Sequence, residues 1–134
     1  MMMSFFKYAA IVGLMAAIVQ SAGAADEDLS QTFSICMDRA GGVTQSMIEC
    51  MGAETERQDV LLNKAYKEVI VGLSSERKQQ LQDVQRLWLK YRKANCDFYY
   101  DPDGGTLARV SANDCFMSAT AARAKELEAF KQQH

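Results

Sequence analysis

The sequence predicts an all-α fold: a small antiparallel stack of helical hairpins, one short and three longer helices, braced by two disulfides. Three observations carry this expectation. Apolar residues recur at three-four spacing through most of the chain, no stretch of useful length alternates with the period of a strand, and two glycine pairs each sit midway between two cysteines.

The first 24 residues are set aside, because they read as a secretory leader. Lys7 supplies the positive start, Tyr8 to Val19 an apolar core of twelve residues, and Ala22-Gly23-Ala24 a small-x-small cleavage pattern. The apolar core is shorter than the roughly 20 residues that span a bilayer. With no cysteine at the cleavage point, the expected product is a soluble periplasmic or secreted protein without a lipid anchor. Residues 25–134 then form one domain of about 110 residues. That portion holds fourteen basic and seventeen acidic residues, a formal charge of −3. So mild an acidic balance argues against nucleic acid or an anionic membrane as partner.

Cys36 and Cys50 lie seven residues either side of position 43, beside Gly41-Gly42, and Cys96 and Cys115 straddle Gly104-Gly105 almost symmetrically. Residues equidistant from the turn of a helical hairpin face each other, so the expected bridges are Cys36–Cys50 and Cys96–Cys115. A zinc site is the competing use of four cysteines. It is not expected, since there is no C-x-x-C pair and the single histidine is His134.

The elements follow in order. Asp26 to Arg39 reads as a short helix with an acidic start, placing Phe33, Cys36 and Met37 on one side and ending at Gly41-Gly42. Thr44 or Ser46 can cap the next helix, and Ser46 with Glu49 has the form of a capping box. This helix runs to about Leu73 on a stripe of Met47, Cys50, Met51, Leu61, Leu62, Ala65, Tyr66, Val69, Ile70 and Leu73. Glu54, Thr55 and Gln58 interrupt the stripe. The expected reading is a middle section facing water at a bundle edge, and the alternative is a polar pocket inside the bundle.

Ser74-Ser75-Glu76 restarts a helix with a serine cap and an acidic first turn. Its stripe is Leu81, Val84, Trp88, Tyr91 and Asn95, widened by Leu87, Ala94 and Phe98, with Arg86, Lys90, Arg92 and Lys93 on the solvated side. Trp88 is expected as a core anchor. Asp97 to Gly105 follows, with Pro102-Asp103-Gly104 as turn chemistry. The last helix spans about Thr106 to Lys131, with Leu107, Val110, Met117, Ala121, Ala124, Leu127 and Phe130 inward.

Leu62-Asn63-Lys64-Ala65-Tyr66, then Leu81, Gln85, Trp88 and Arg92 leading to Cys96, then Cys115 with Arg123 and Leu127, resemble the lysozyme inhibitor LprI-like, N-terminal family from Cys36 to Phe130. The resemblance implies a small helical envelope protein with disulfides, no enzymatic activity and no cofactor. Asn63, Tyr66, Gln85, Trp88 and Arg92 are the motif residues and look structural. Its name implies a protein partner, lysozyme or another peptidoglycan hydrolase.

For such a partner the segment from Cys96 to Cys115 is the expected contact, with Tyr99 and Tyr100 as rigid aromatic contacts, Asp101 and Asp103 as steering charges and Arg109 as the lone cation. The bland reading of the segment has Phe98 and one tyrosine closing the core while the aspartates solvate a turn. A periplasmic interaction or toxin-immunity module with a different protein partner is the second functional class. Catalysis is disfavoured: no histidine is placed for a triad, no phosphate loop occurs, and Asp101 and Asp103 share a turn without an apolar pocket to raise one pKa.

Overall fold

A computed structural model describes residues 28–132, so the expected leader and cleavage site lie outside the described residues. Four helices are present: α1 (Gln31–Ala40), α2 (Thr44–Gly72), α3 (Ser75–Tyr99) and α4 (Gly105–Phe130). No strand occurs among the described residues. Both expected disulfides form, Cys36–Cys50 with Cα atoms 5.7 Å apart and Cys96–Cys115 at 5.5 Å.

α1 begins later than the acidic residues suggested, because Ser30 is the cap and its hydroxyl accepts the Phe33 N–H at 3.1 Å. It ends where Gly41 turns left-handed at φ 55°, a conformation that costs glycine little. The capping box at Ser46 and Glu49 does not form. α2 starts at Val43 without a side-chain cap, and the Gln45 amide donates to Glu49 at 3.1 Å instead. α3 starts as expected, with Ser74 Oγ accepting from the Arg77 N–H.

The helices do not stack in simple sequence order. α4 packs chiefly on α2 and also against α3, while α1 packs on α2. Lys131 meets Glu68 and Arg109 meets Gln45, so α4 runs parallel to α2. The turn at Leu73-Ser74 sends α3 back antiparallel to both, and α4 enters between α2 and α3 rather than beside α3 alone. Two core regions result. Leu62, Ala65 and Val69 meet Leu81, Ala124 and Leu127 at one end. Phe33, Ala40, Cys50, Met51 and Met117 form the other, beneath the first disulfide. Burying such side chains is the dominant stabilising term, each worth about 1.5–3 kcal/mol.

Between the two cores the stripe of α2 stays inward through its polar middle. Glu54 is fully buried and Gln58 nearly so, which overturns the water-facing reading of that section. The carboxylate of Glu54 accepts from Ser30 N–H at 2.9 Å, Ser30 Oγ at 2.5 Å, Gln58 Nε2 at 2.8 Å and Arg57 Nε at 2.8 Å. Gln58 also donates to the carbonyl of Asp28. This polar cluster fastens the start of the domain to the middle of α2. Burial opposes ionisation of Glu54, but the hydrogen bonds from Ser30, Gln58 and Arg57 outweigh it and hold the carboxyl below its ordinary range.

The broad apolar stripe expected on α3 proves to be two stripes. Leu81, Gln85, Trp88, Arg92 and Cys96 turn toward the other helices, whereas Val84, Leu87, Tyr91, Ala94 and Phe98 face outward. Leu107 at the start of α4 is likewise exposed, and Ala108 takes the inward place.

Candidate functional site

The expected contact segment is mostly helix. α3 continues to Tyr99 and α4 resumes at Gly105, leaving a connection of residues 100–104. The Tyr100 N–H closes α3 on the carbonyl of Asp97 at 3.0 Å. The chain then reverses within one turn. Asp103 N–H donates to Asp101 Oδ1 at 2.9 Å, and Gly104 N–H donates to the Asp101 carbonyl at 3.0 Å. The turn falls where the Pro-Asp-Gly sequence predicts it, but the side chain that bonds the backbone is Asp101 rather than Asp103, and the positive φ falls on Gly105 at 60° while Gly104 stays at −81°. Gly104 is also held by space, since a Cβ there would come within 2.7 Å of the Ala108 methyl.

Cys96–Cys115 staples the two helices just below this tip. Above the staple the aromatics point out. Tyr99 and Tyr100 are about half exposed and Phe98 more so, which overturns the reading in which Phe98 and a tyrosine close the core. Beside Tyr100 lies a shallow depression of about 180 Å³, lined by Asp97, Ala112, Asn113 and Phe116 as well. Among the described residues Asp101 and Asp103 make no ion pair, whereas Asp97 takes Lys93 at 2.5 Å. Arg109 stands on the first turns of α4 and reaches Gln45 of α2 at 3.4 Å.

The motif residues gather one layer below. The Arg92 guanidinium stacks on Phe116 at 4.2 Å and on Trp88 at 4.7 Å, and its Nη1 donates to Thr120 Oγ1 at 2.7 Å and to Asp59 at 3.4 Å. Arg123 sits 5.9 Å from the same Trp88 ring, donating from Nε to Gln85 at 3.0 Å and from Nη1 to Glu126 at 2.6 Å. Arg92 Nε and Arg123 Nη2 in this layer have no hydrogen-bond partner among the described residues. Arg92 is therefore a core residue, not part of the solvated face expected for the Lys90 to Lys93 run.

Asn63 and Tyr66 on α2 face Gln85, Trp88 and Arg92 across a groove of about 430 Å³ between α2 and α3. The sequence did not single out Thr120 or Glu54 as organising groups. The three-four spacing of α4 contains Thr120, but a threonine next to small alanines gives no sign that an arginine from another helix will seek it.

These features define a class: a small all-α domain in which two disulfides and a buried arginine-aromatic layer hold a rigid, aromatic tip. Among the described residues no group of three or more His, Cys, Asp or Glu could hold a metal ion, and no helix is long and apolar enough to cross a membrane. The chain belongs to the lysozyme inhibitor LprI family, whose sequence profile matches residues 36–127. Comparison with curated proteins and with solved structures found no match.

Proposed function

We propose that the protein is an exported inhibitor that binds a lysozyme or related cell-wall hydrolase through the α3–α4 tip and performs no chemistry itself. Family membership supports the target class. The observation that carries the contact face is the exposure of Tyr99 and Tyr100 on a five-residue connection directly above the Cys96–Cys115 staple. A stapled tip loses little conformational freedom on binding, and tyrosine is a residue type enriched at interface hot spots. Asp101 and Asp103 would steer the tip toward a basic enzyme. A glycosidase cleft is flanked by two carboxyl groups, so the groups that meet them must be donors. The tyrosine hydroxyls serve, and Arg109 can join them by leaving its long contact with Gln45. The leader-like residues 1–24 and the two disulfides fit an oxidising compartment outside the cytoplasm.

The test is lysis of a peptidoglycan suspension by c-type lysozyme, with and without excess oxidised protein lacking residues 1–24. A dose-dependent block is expected. Unimpeded lysis by c-, g- and i-type enzymes alike would overturn the reading and favour an interaction or immunity module with a different protein partner.

A further inference from the structure

The outward stripe of α3 is an apolar feature that none of the other described helices covers, and its spacing is specific. Val84, Leu87, Tyr91, Ala94 and Phe98 are separated by three, four, three and four residues. Val84 is 47 % exposed, Leu87 65 %, Tyr91 63 % and Phe98 86 %. A period of 3.5 residues held over two heptads is the seam of a coiled coil, with Val84, Tyr91 and Phe98 at one core position and Leu87 and Ala94 at the other. A helix that merely faced water would have no reason to keep this register. We infer that this seam pairs with the same seam of a second copy of the chain, giving a parallel α3–α3 dimer about a twofold axis.

Area and charge both favour this occupant. The stripe offers on the order of 500 Å² of apolar surface, already at the upper end for a monomer's largest patch. Two copies together would bury about 1,000 Å², the lower bound for a specific interface, so a weak, reversible dimer is expected. The flanking charges select the direction. An antiparallel alignment that matches the apolar layers, Val84 on Ala94 and Leu87 on Tyr91, would set Lys90 of one copy against Lys90 of the other and Asp83 against Asp97. Parallel alignment places each of the five layers on itself and brings Lys90 near the uncharged Asn95 of the other copy. Arg86 and Lys93 at the edge are already neutralised within the chain by Asp83 and Asp97. The two aromatic tips would then stand at the same end of the dimer.

Sedimentation equilibrium of the oxidised protein from about 5 to about 500 µM tests this without any lysozyme, so its failure would leave the inhibitor reading untouched. A monomer–dimer equilibrium is expected. A double variant L87E/Y91E should keep its helicity and both disulfides yet weaken association at least about tenfold, because each dimer would bury four like charges. Wild-type protein that stays monomeric throughout, or a double variant that dimerises as well as wild type, would overturn the proposal. Mixing Y91E with Y91K should restore a heterodimer if Tyr91 faces itself. Restoration only when Y91E is mixed with L87K would overturn the parallel register.

Discussion

Arg92 of α3 donates to the hydroxyl of Thr120 on α4 at 2.7 Å, and this bond fixes where α4 sits between its neighbours. Thr120 in turn donates to the Phe116 carbonyl at 2.6 Å, so the acceptor is oriented by its own helix. The guanidinium carbon lies over both the Phe116 and the Trp88 ring, 4.2 and 4.7 Å from their centroids. Only a planar, delocalised cation can stack on two rings and still aim an N–H at a third group.

Replacing Arg92 by lysine should therefore destabilise the domain by about 2 kcal/mol, although the charge is kept, because the ammonium cannot stack and loses its reach to Thr120. Thr120→Val should cost about 1–2 kcal/mol by leaving a buried N–H without an acceptor. The two changes should not add, since either one breaks the same bond. Urea unfolding followed by the fluorescence of the single tryptophan, Trp88, reads all three variants. An effect below about 0.5 kcal/mol for Arg92→Lys would mean the layer is not structural.

The helix count, the disulfide pairing and the turn at Pro102 were legible in the sequence, because each depends on local chemistry or on symmetry about a turn. The face that α3 turns inward was legible only in part: Leu81 and Trp88 are core residues as expected, while Arg92 replaces Val84 and Tyr91. Val84, Leu87, Tyr91, Ala94 and Phe98 make a better apolar stripe than Leu81, Gln85, Trp88, Arg92 and Cys96, and hydrophobicity alone selects the first set. The second set wins because Cys96 must reach Cys115 and Arg92 must reach Thr120 on α4. The middle of α2 hides its burial for a related reason. Glu54 and Gln58 look like water-facing residues until Ser30, 24 positions from Glu54, supplies the donors that satisfy a buried carboxylate. Long-range polar satisfaction leaves no periodic trace.

Glu54 also gives the domain a pH dependence of definite sign. Its folded value is held below the ordinary 4.5. The unfolded chain thus takes up the proton at higher pH than the folded one, so the stabilisation is complete above the ordinary value and is lost as pH falls through the folded value. Glu68, paired with Lys131 on the surface, is shifted in the same direction. The urea midpoint should hold steady from pH 7 to about 5 and then fall toward pH 3. Glu54→Gln should lower the midpoint at pH 7 and flatten the acid decline. A variant that keeps the wild-type acid slope would assign that slope to other carboxylates.

The two disulfides should contribute alike to stability and differently to binding. Their sequence separations are 14 and 19 residues, and each should be worth about 3 kcal/mol by restricting the unfolded chain. Cys36→Ala with Cys50→Ala should lower the melting temperature but leave lysozyme inhibition intact below it. Cys96→Ala with Cys115→Ala should lower both, because the tip is no longer held. Equal loss of inhibition in the two pairs would remove the argument for the tip as the contact.

The tip makes the most specific demand on the proposed function. Tyr99 and Tyr100 are half exposed, so Tyr99→Ala with Tyr100→Ala should change stability by no more than about 0.5 kcal/mol. If they are the anchors, the same pair should weaken inhibition about 30-fold or more, which is 2 kcal/mol of binding. Asp101→Asn with Asp103→Asn should act differently, slowing association and reducing its salt dependence while the dissociation rate stays near wild type. That pair also probes the turn, because the Asp101 carboxylate accepts the Asp103 N–H and an asparagine carbonyl can replace it. Arg109→Ala should fall between the two sets, since its side chain is held by a long 3.4 Å bond to Gln45 that it can leave. Surface plasmon resonance with immobilised lysozyme separates the rates. A tyrosine pair variant that inhibits as well as wild type would move the contact face off the tip.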